Sequence, residues 1–133
     1  MKKILLIIGI LLSSALLWQS CTKEGDPTDE ENTRTLFVGN WTVTDQCSKQ
    51  TYSVNISFDD DNSSQVIISN YANLGNSAKA VVAGSNIQVE SQDIGNGYSV
   101  SGSGQLNGEI ISWSSYNFET DSDLTECTAT FSK

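Results

Sequence analysis

No histidine occurs anywhere in the 133 residues, there is one proline, and seven basic residues stand against sixteen acidic ones. Without histidine the chain lacks the usual proton shuttle near neutral pH, so neither a histidine-based triad nor ordinary general acid–base catalysis is expected. Its three cysteines, Cys21, Cys47 and Cys127, include no closely spaced pair, which argues against a zinc centre; no metal and no cofactor are expected. The acidic excess repels phosphate backbones and anionic headgroups, which excludes nucleic acid as a partner. An uninterrupted apolar run of the roughly 20 residues that a spanning helix needs is missing. Nor does any ten-residue stretch of the presumed domain carry an apolar stripe at helical spacing.

What is present begins with Lys2 and Lys3, followed by an uncharged run from Ile4 to Trp18. That run is short for a membrane span and suits the apolar region of a secretory signal. Ser20-Cys21 follows, a small residue before a cysteine, as in the site where bacterial lipoproteins are cleaved and acylated. Trp18 and Gln19 depart from the commonest form of that site, and the relaxed version resembles the lipobox of Bacteroidota lipoproteins. Residues 1–20 therefore read as a lipoprotein signal peptide and Cys21 as the lipidated residue. The other reading has ordinary secretory cleavage nearby, with Cys21 a disulfide partner.

Acylation of Cys21 leaves two cysteines, which an oxidising compartment would join as a Cys47–Cys127 disulfide. From Thr22 to Thr33 no large apolar side chain occurs, and five acidic residues accompany Lys23 and Pro27. Such a segment cannot bury enough surface to fold, so residues 21–34 read as lipidated cysteine plus disordered acidic tether. Lys23-Glu24 resembles the short export signal that carries some Bacteroidota lipoproteins to the cell surface. The implied location is the outer membrane, on its periplasmic or extracellular face.

Residues 35–133 suffice for one small core. Their pattern is alternation. Tyr52, Val54, Ile56 and Phe58 interleave with Thr51, Ser53, Asn55 and Ser57, and Phe37, Trp41 and Val43 with Asn40, Thr42 and Thr44. Six further strands are expected: Gln65–Asn70, Ala78–Ala83, Asn86–Ser91, Tyr98–Gly104, Glu109–Ser115 and Leu124–Ser132. Short turn signals such as Ile94–Gly97 and Leu106–Gly108 make consecutive strands antiparallel neighbours. The prediction is an all-β fold, a single eight-stranded antiparallel meander barrel, with a two-sheet sandwich as the alternative. Continued parity places Cys47 on the inward face with Trp41 and Val43, and Cys127 inward with Ala129 and Phe131, so that the disulfide staples the seam.

Gly39-Asn40-Trp41 matches the Gly-x-Trp motif with which lipocalins and other calycins open their first strand, the tryptophan closing one end of the barrel. Together with the lipobox, the polar tether, LFVGNWTVTDQC and ISNYANLGNSAKAVVAGSNIQVESQ, the layout resembles small calycin-like or lipocalin-like lipoproteins of Bacteroidota over nearly all of Thr35 to Lys133. The resemblance implies an envelope-anchored binding protein whose barrel or rim takes a small apolar ligand or a glycan. Three features depart from the lipocalin pattern. The late arginine that packs on the motif tryptophan is missing, Lys133 being the only cation near the end; the domain is short; and no flanking helix is evident. An eight-stranded barrel is just wide enough for its own side chains to fill. The alternative function is therefore a protein-interaction module with a filled core, such as an inhibitor or an accessory subunit of an envelope complex.

Other constellations are weaker. Glu90, Asp93, Glu109 and Glu119 could supply paired carboxylates, but acidic residues at strand edges are usually solvated, and no enzymatic activity is expected. Asp59-Asp60-Asp61-Asn62 offers oxygen ligands in one turn without the EF-hand spacing, since Ser64 and Asn70 stand at its sixth and twelfth positions. A polar hairpin turn is the expectation there, as for Glu119–Asp123. Trp113 shares parity with Ile111, whereas Tyr116 and Phe118 share it with Ile110. Either one set is exposed as a binding strip, or a bulge turns all of them inward. Sequons at Asn40, Asn55 and Asn62 are read as part of a polar outer face. No ligand-binding residue can be named from the sequence.

Overall fold

The computed structural model describes residues 33–133; Cys21 and the signal segment lie outside the described residues. Residues 33–37 are helical, and nine strands follow: β1 Gly39–Asp45, β2 Thr51–Phe58, β3 Gln65–Ile68, β4 Ala78–Ala83, β5 Asn86–Gly95, β6 Tyr98–Asn107, β7 Ile110–Glu119, β8 Leu124–Thr125 and β9 Ala129–Ser132. Each of β1 to β7 pairs antiparallel with the next. The ring closes because β9 pairs on one side with β7, Trp113 opposite Ala129, and on the other with β1, Val43 opposite Phe131. Eight strands thus make a closed antiparallel barrel, with β8 continuing the line of β9 along β7. Closure leaves no edge in the ring, and the sandwich is set aside.

Alternation works as the sequence indicates. Along β1, Trp41 and Val43 are buried while Asn40, Thr42 and Thr44 are exposed; along β9, Ala129 and Phe131 are buried while Thr130 is exposed. Phe37 departs from the expectation. It belongs to the helical residues, and it is fully buried because the helix lays it across the open end of the barrel. Arg34, which composition assigns to the tether, is also buried. Its guanidinium lies 4.8 Å from the ring centre of Phe58 and donates from Nη1 to the carbonyl of Gln65 at 3.0 Å.

The last strand is divided where the sequence suggests one continuous run. Between β8 and β9 the amide of Cys127 donates to Asn117 Oδ1 at 3.1 Å, and Tyr116 N–H donates to the Cys127 carbonyl at 2.8 Å. A side chain replaces one ladder bond there, and the strand bends. Opposite, β7 carries a bulge: Ser103 faces Ser115 and Gly104 faces Trp113, leaving Ser114 unpaired in register. One extra residue resets the parity, so Trp113 and Tyr116 both point inward. Phe118 is half-buried, its ring edge-on to Tyr98 at 6.5 Å.

The interior is a stack of rings. Tyr116 lies 4.3 Å from Tyr71, 5.4 Å from Trp113 and 5.5 Å from Phe131 between ring centres, and Trp113 lies 5.1 Å from Phe131. Gly102 and Gly104 on β6 make room for this stack. A Cβ on Gly102 would meet Tyr71 Oη and the Ser115 carbonyl, and one on Gly104 would sit 2.9 Å from Trp113 Cδ2. Burying each such aromatic contributes roughly 1.5–3 kcal/mol.

Candidate functional site

Chain direction gives the barrel two different ends. At the base lie the helical residues 33–37, the turn after β2 and the carboxy-terminal Lys133. Gly39 starts β1 with φ of 132°, a backbone geometry that favours glycine. Trp41 Nε1 donates to the carbonyl of Phe37 at 2.6 Å. Lys133 Nζ sits 4.6 Å over the Trp41 ring and donates to the Val38 carbonyl at 3.0 Å. Trp41 is thus buried at this end with Lys133 over its indole. Lys133→Ala should lower stability by about 1 kcal/mol, the scale of an exposed cation–π contact plus a carbonyl bond. Lys133→Arg should stay within a few tenths of the wild type, as read from urea midpoints, because arginine stacks at least as well on indole.

The acidic turn at the base serves structure. The carbonyls of Asp59, Asn62 and Gln65 all accept from Arg34 Nη1. Buried Asp59 meets Lys79 Nζ at 3.4 Å and accepts the Asp61 amide at 3.0 Å. Three carbonyls of this turn thus face Arg34 and the Asp59 carboxylate faces Lys79, while Asp60 and Asp61 are exposed. The Glu119–Asp123 turn closes on itself through Thr120 N–H to the Asp123 carbonyl at 2.8 Å. Glu90, Asp93, Glu109 and Glu119 are all exposed. Asn40 and Asn55 pair with each other across β1 and β2, Asn55 Nδ2 donating at 2.8 Å.

At the opposite end Cys47 and Cys127 form a disulfide, their Cα atoms 5.6 Å apart across 80 residues. The inward placement of Cys47 requires correction: it is exposed in the turn after β1, whereas Cys127 is buried. Strand β1 ends at Asp45, which takes the inward position. Its carboxylate accepts the amide of Cys47 at 2.8 Å and that of Ser48 at 3.4 Å, and this local turn rotates Cys47 outward. Asp45, Cys47 and Cys127 bring ligand-type atoms within 4.8 Å of one another, but both sulfurs are joined and only the carboxylate has ligand capacity.

Three tyrosines fill this end. Tyr116 Oη accepts the amide of Ala72 at 2.8 Å and the hydroxyl of Tyr52 at 3.2 Å, and Tyr71 Oη donates to the Ser101 carbonyl at 2.9 Å. The bond to Ala72 holds a short 3-10 turn, Tyr71–Asn73, in which Ala72 adopts φ of 54°. That turn plugs the barrel mouth with buried Tyr71 and Ala72, an arrangement the sequence signals only through Asn70 and Asn73, residues that tolerate left-handed backbone.

Burial pushes the Tyr52 hydroxyl up to about 12, and it raises Tyr71 and Tyr116 still further, with Tyr52 nearby adding to the rise for both. The folded state keeps these groups neutral, while unfolded tyrosines ionise near pH 10. Their contribution to stability is complete below pH 10 and is lost as pH rises toward and beyond 12. Urea midpoints should fall in that window, with most tyrosinate absorbance appearing together with unfolding. Ionisation of these three phenols at pH 10 in a barrel of unchanged stability would contradict this packing.

Outside the disulfide, beside the β7 bulge and the segment between β8 and β9, lies an open groove of about 450 Å³ lined by Gln46, Ser114, Ser115, Asn117, Glu126 and Thr128 besides the two cysteines. Its lining can donate and accept hydrogen bonds but, with the sulfurs joined, has no thiol nucleophile. The parity of Trp113 against Tyr116 admits the bulge, but nothing in the residue pattern marks the break between β8 and β9 or the groove beside it. In comparisons with known proteins, the chain matches no protein-family model, no curated protein and no solved structure.

Proposed function

We propose that this is an outer-membrane lipoprotein, anchored through Cys21 and without catalytic activity, whose lipocalin-like barrel acts as a solid body that binds a protein partner of the envelope through its outer surface. The observation that carries this reading is the filled interior. Tyr71, Trp113, Tyr116 and Phe131 are packed ring on ring, with two glycines required to admit them. That favours an inhibitor or accessory subunit over a carrier of a small apolar ligand. The absence of histidine and the joined thiols support the non-catalytic part. A glycan is the second reading, favoured by the hydroxyl- and amide-rich lining of the groove.

Two measurements test it. Cys21→Ser should move the protein from the detergent to the aqueous phase with its disulfide intact; retention in detergent would overturn the anchor. Native mass spectrometry of the full-length product in mild detergent should give the lipidated, oxidised mass without an apolar adduct. A stoichiometric apolar adduct would restore the carrier reading.

A further inference from the structure

Among the described residues, four large apolar side chains are exposed: Leu36, Phe58, Ile110 and Leu124. Isolated exposed apolar residues are ordinary. Three of these four, however, converge on the base. Leu36 is on the helical residues; its carbonyl accepts Lys133 Nζ at 3.5 Å. Ile110 pairs with Ser132, directly beside Lys133. Phe58 ends β2 at the same end, with the Arg34 guanidinium over one face of its ring. They are 60%, 45% and 38% exposed respectively, at the end of the barrel where the described chain begins.

We infer that the base of the barrel docks on the lipid headgroup interface, with Leu36, Ile110 and Phe58 inserted among zwitterionic lipids and the disulfide end turned away from the membrane. The inference rests on the anchor reading. The chain between Cys21 and Thr33 can span at most about 40 Å when extended. A link so short sets an effective concentration in the millimolar range, so a contact with a dissociation constant of about 1 mM suffices to keep the base down. Charge selects the kind of surface. Asp59, Asp60, Asp61 and Glu109 stand at this end against Arg34, Lys79 and Lys133, an excess of one acidic charge. Anionic headgroups therefore gain no attraction from it.

The test uses the full-length gene product, with a benzophenone side chain placed at position 36, 110 or 124, purified with its native anchor and reconstituted into phosphatidylcholine vesicles. Intact mass first reports whether Cys21 is acylated. If it is not, the anchor reading fails, and docking is tested separately by coupling Cys21 to a maleimide lipid in the same vesicles. Docking predicts phospholipid adducts from positions 36 and 110 several-fold above position 124. Those adducts should not increase in vesicles half composed of phosphatidylglycerol at low salt, as they would if basic residues drove the contact. Equal or absent lipid adducts at the three positions would overturn it, as would adducts at 36 and 110 that form only with protein in native envelopes.

Discussion

Replacing Cys47 and Cys127 together by serine should lower the stability of the barrel by about 4 to 5 kcal/mol in the chain-entropy model, the largest single effect expected in this molecule. The bridge spans 80 residues, and it links the turn after β1 to the residues just before β9, the two strands whose pairing closes the ring. Without it the seam of β1 and β9 has to assemble from opposite ends of the domain, with four register pairs, Thr42–Ser132 to Asp45–Ala129, to hold it. Loop-closure entropy that the cross-link removes from the unfolded chain then opposes closure in full. Urea unfolding of the oxidised protein and of the double variant measures the difference directly. A loss below 1 kcal/mol would mean that the unfolded ensemble is already constrained across the seam, and the entropic account would fail.

Gly102→Ala should cost about 3 kcal/mol, far beyond what a methyl group does on an ordinary strand. The new Cβ would collide with Tyr71 Oη and would lie 2.9 Å from the Ser115 carbonyl and 3.2 Å from Trp113. The carbonyl belongs to the bulged strand and has little freedom to retreat. Tyr71 is held by its bond to the Ser101 carbonyl and by the ring of Tyr116. Relief therefore requires moving the plug at the barrel mouth. The same substitution at Gly108, whose Cβ would meet nothing within 4 Å, keeps only the left-handed backbone penalty of about 1 kcal/mol. Comparing the two midpoints separates crowding from backbone effects. Equal losses would mean that the ring stack is looser than its distances indicate.

Much of this architecture could be read from the residues, because alternation has a strict period and a closed meander leaves few options. Strict alternation ends where the backbone changes conformation. Asp45 ends β1 by capping two amides, and Cys47 lands outside. At Ser114 the extra residue of β7 brings Tyr116 inside with Trp113, the bulge that the parity of these aromatics had left open. Thr33 to Phe37 winds as a helix too short to show a period. Signals were available in part. Asp45-x-Cys47-Ser48 has the form of an Asx turn. Glycines at 102 and 104, on one face of a strand, announce that something large comes close. The groove had no such signal, since it arises where two irregularities on neighbouring strands coincide.

The disulfide also determines how the protein would respond to mechanical load. A pull transmitted from the amino-terminal side reaches Cys47 through β1 and passes straight to Cys127 through the covalent link. If the opposing grip is on the carboxy-terminal strand, only the segments outside the bridge can lengthen. The stretch from Gln50 to Glu126, which holds most of the ring stack, bears no tension along its own backbone. A protein tugged at both ends would stretch by its flanks and keep its body.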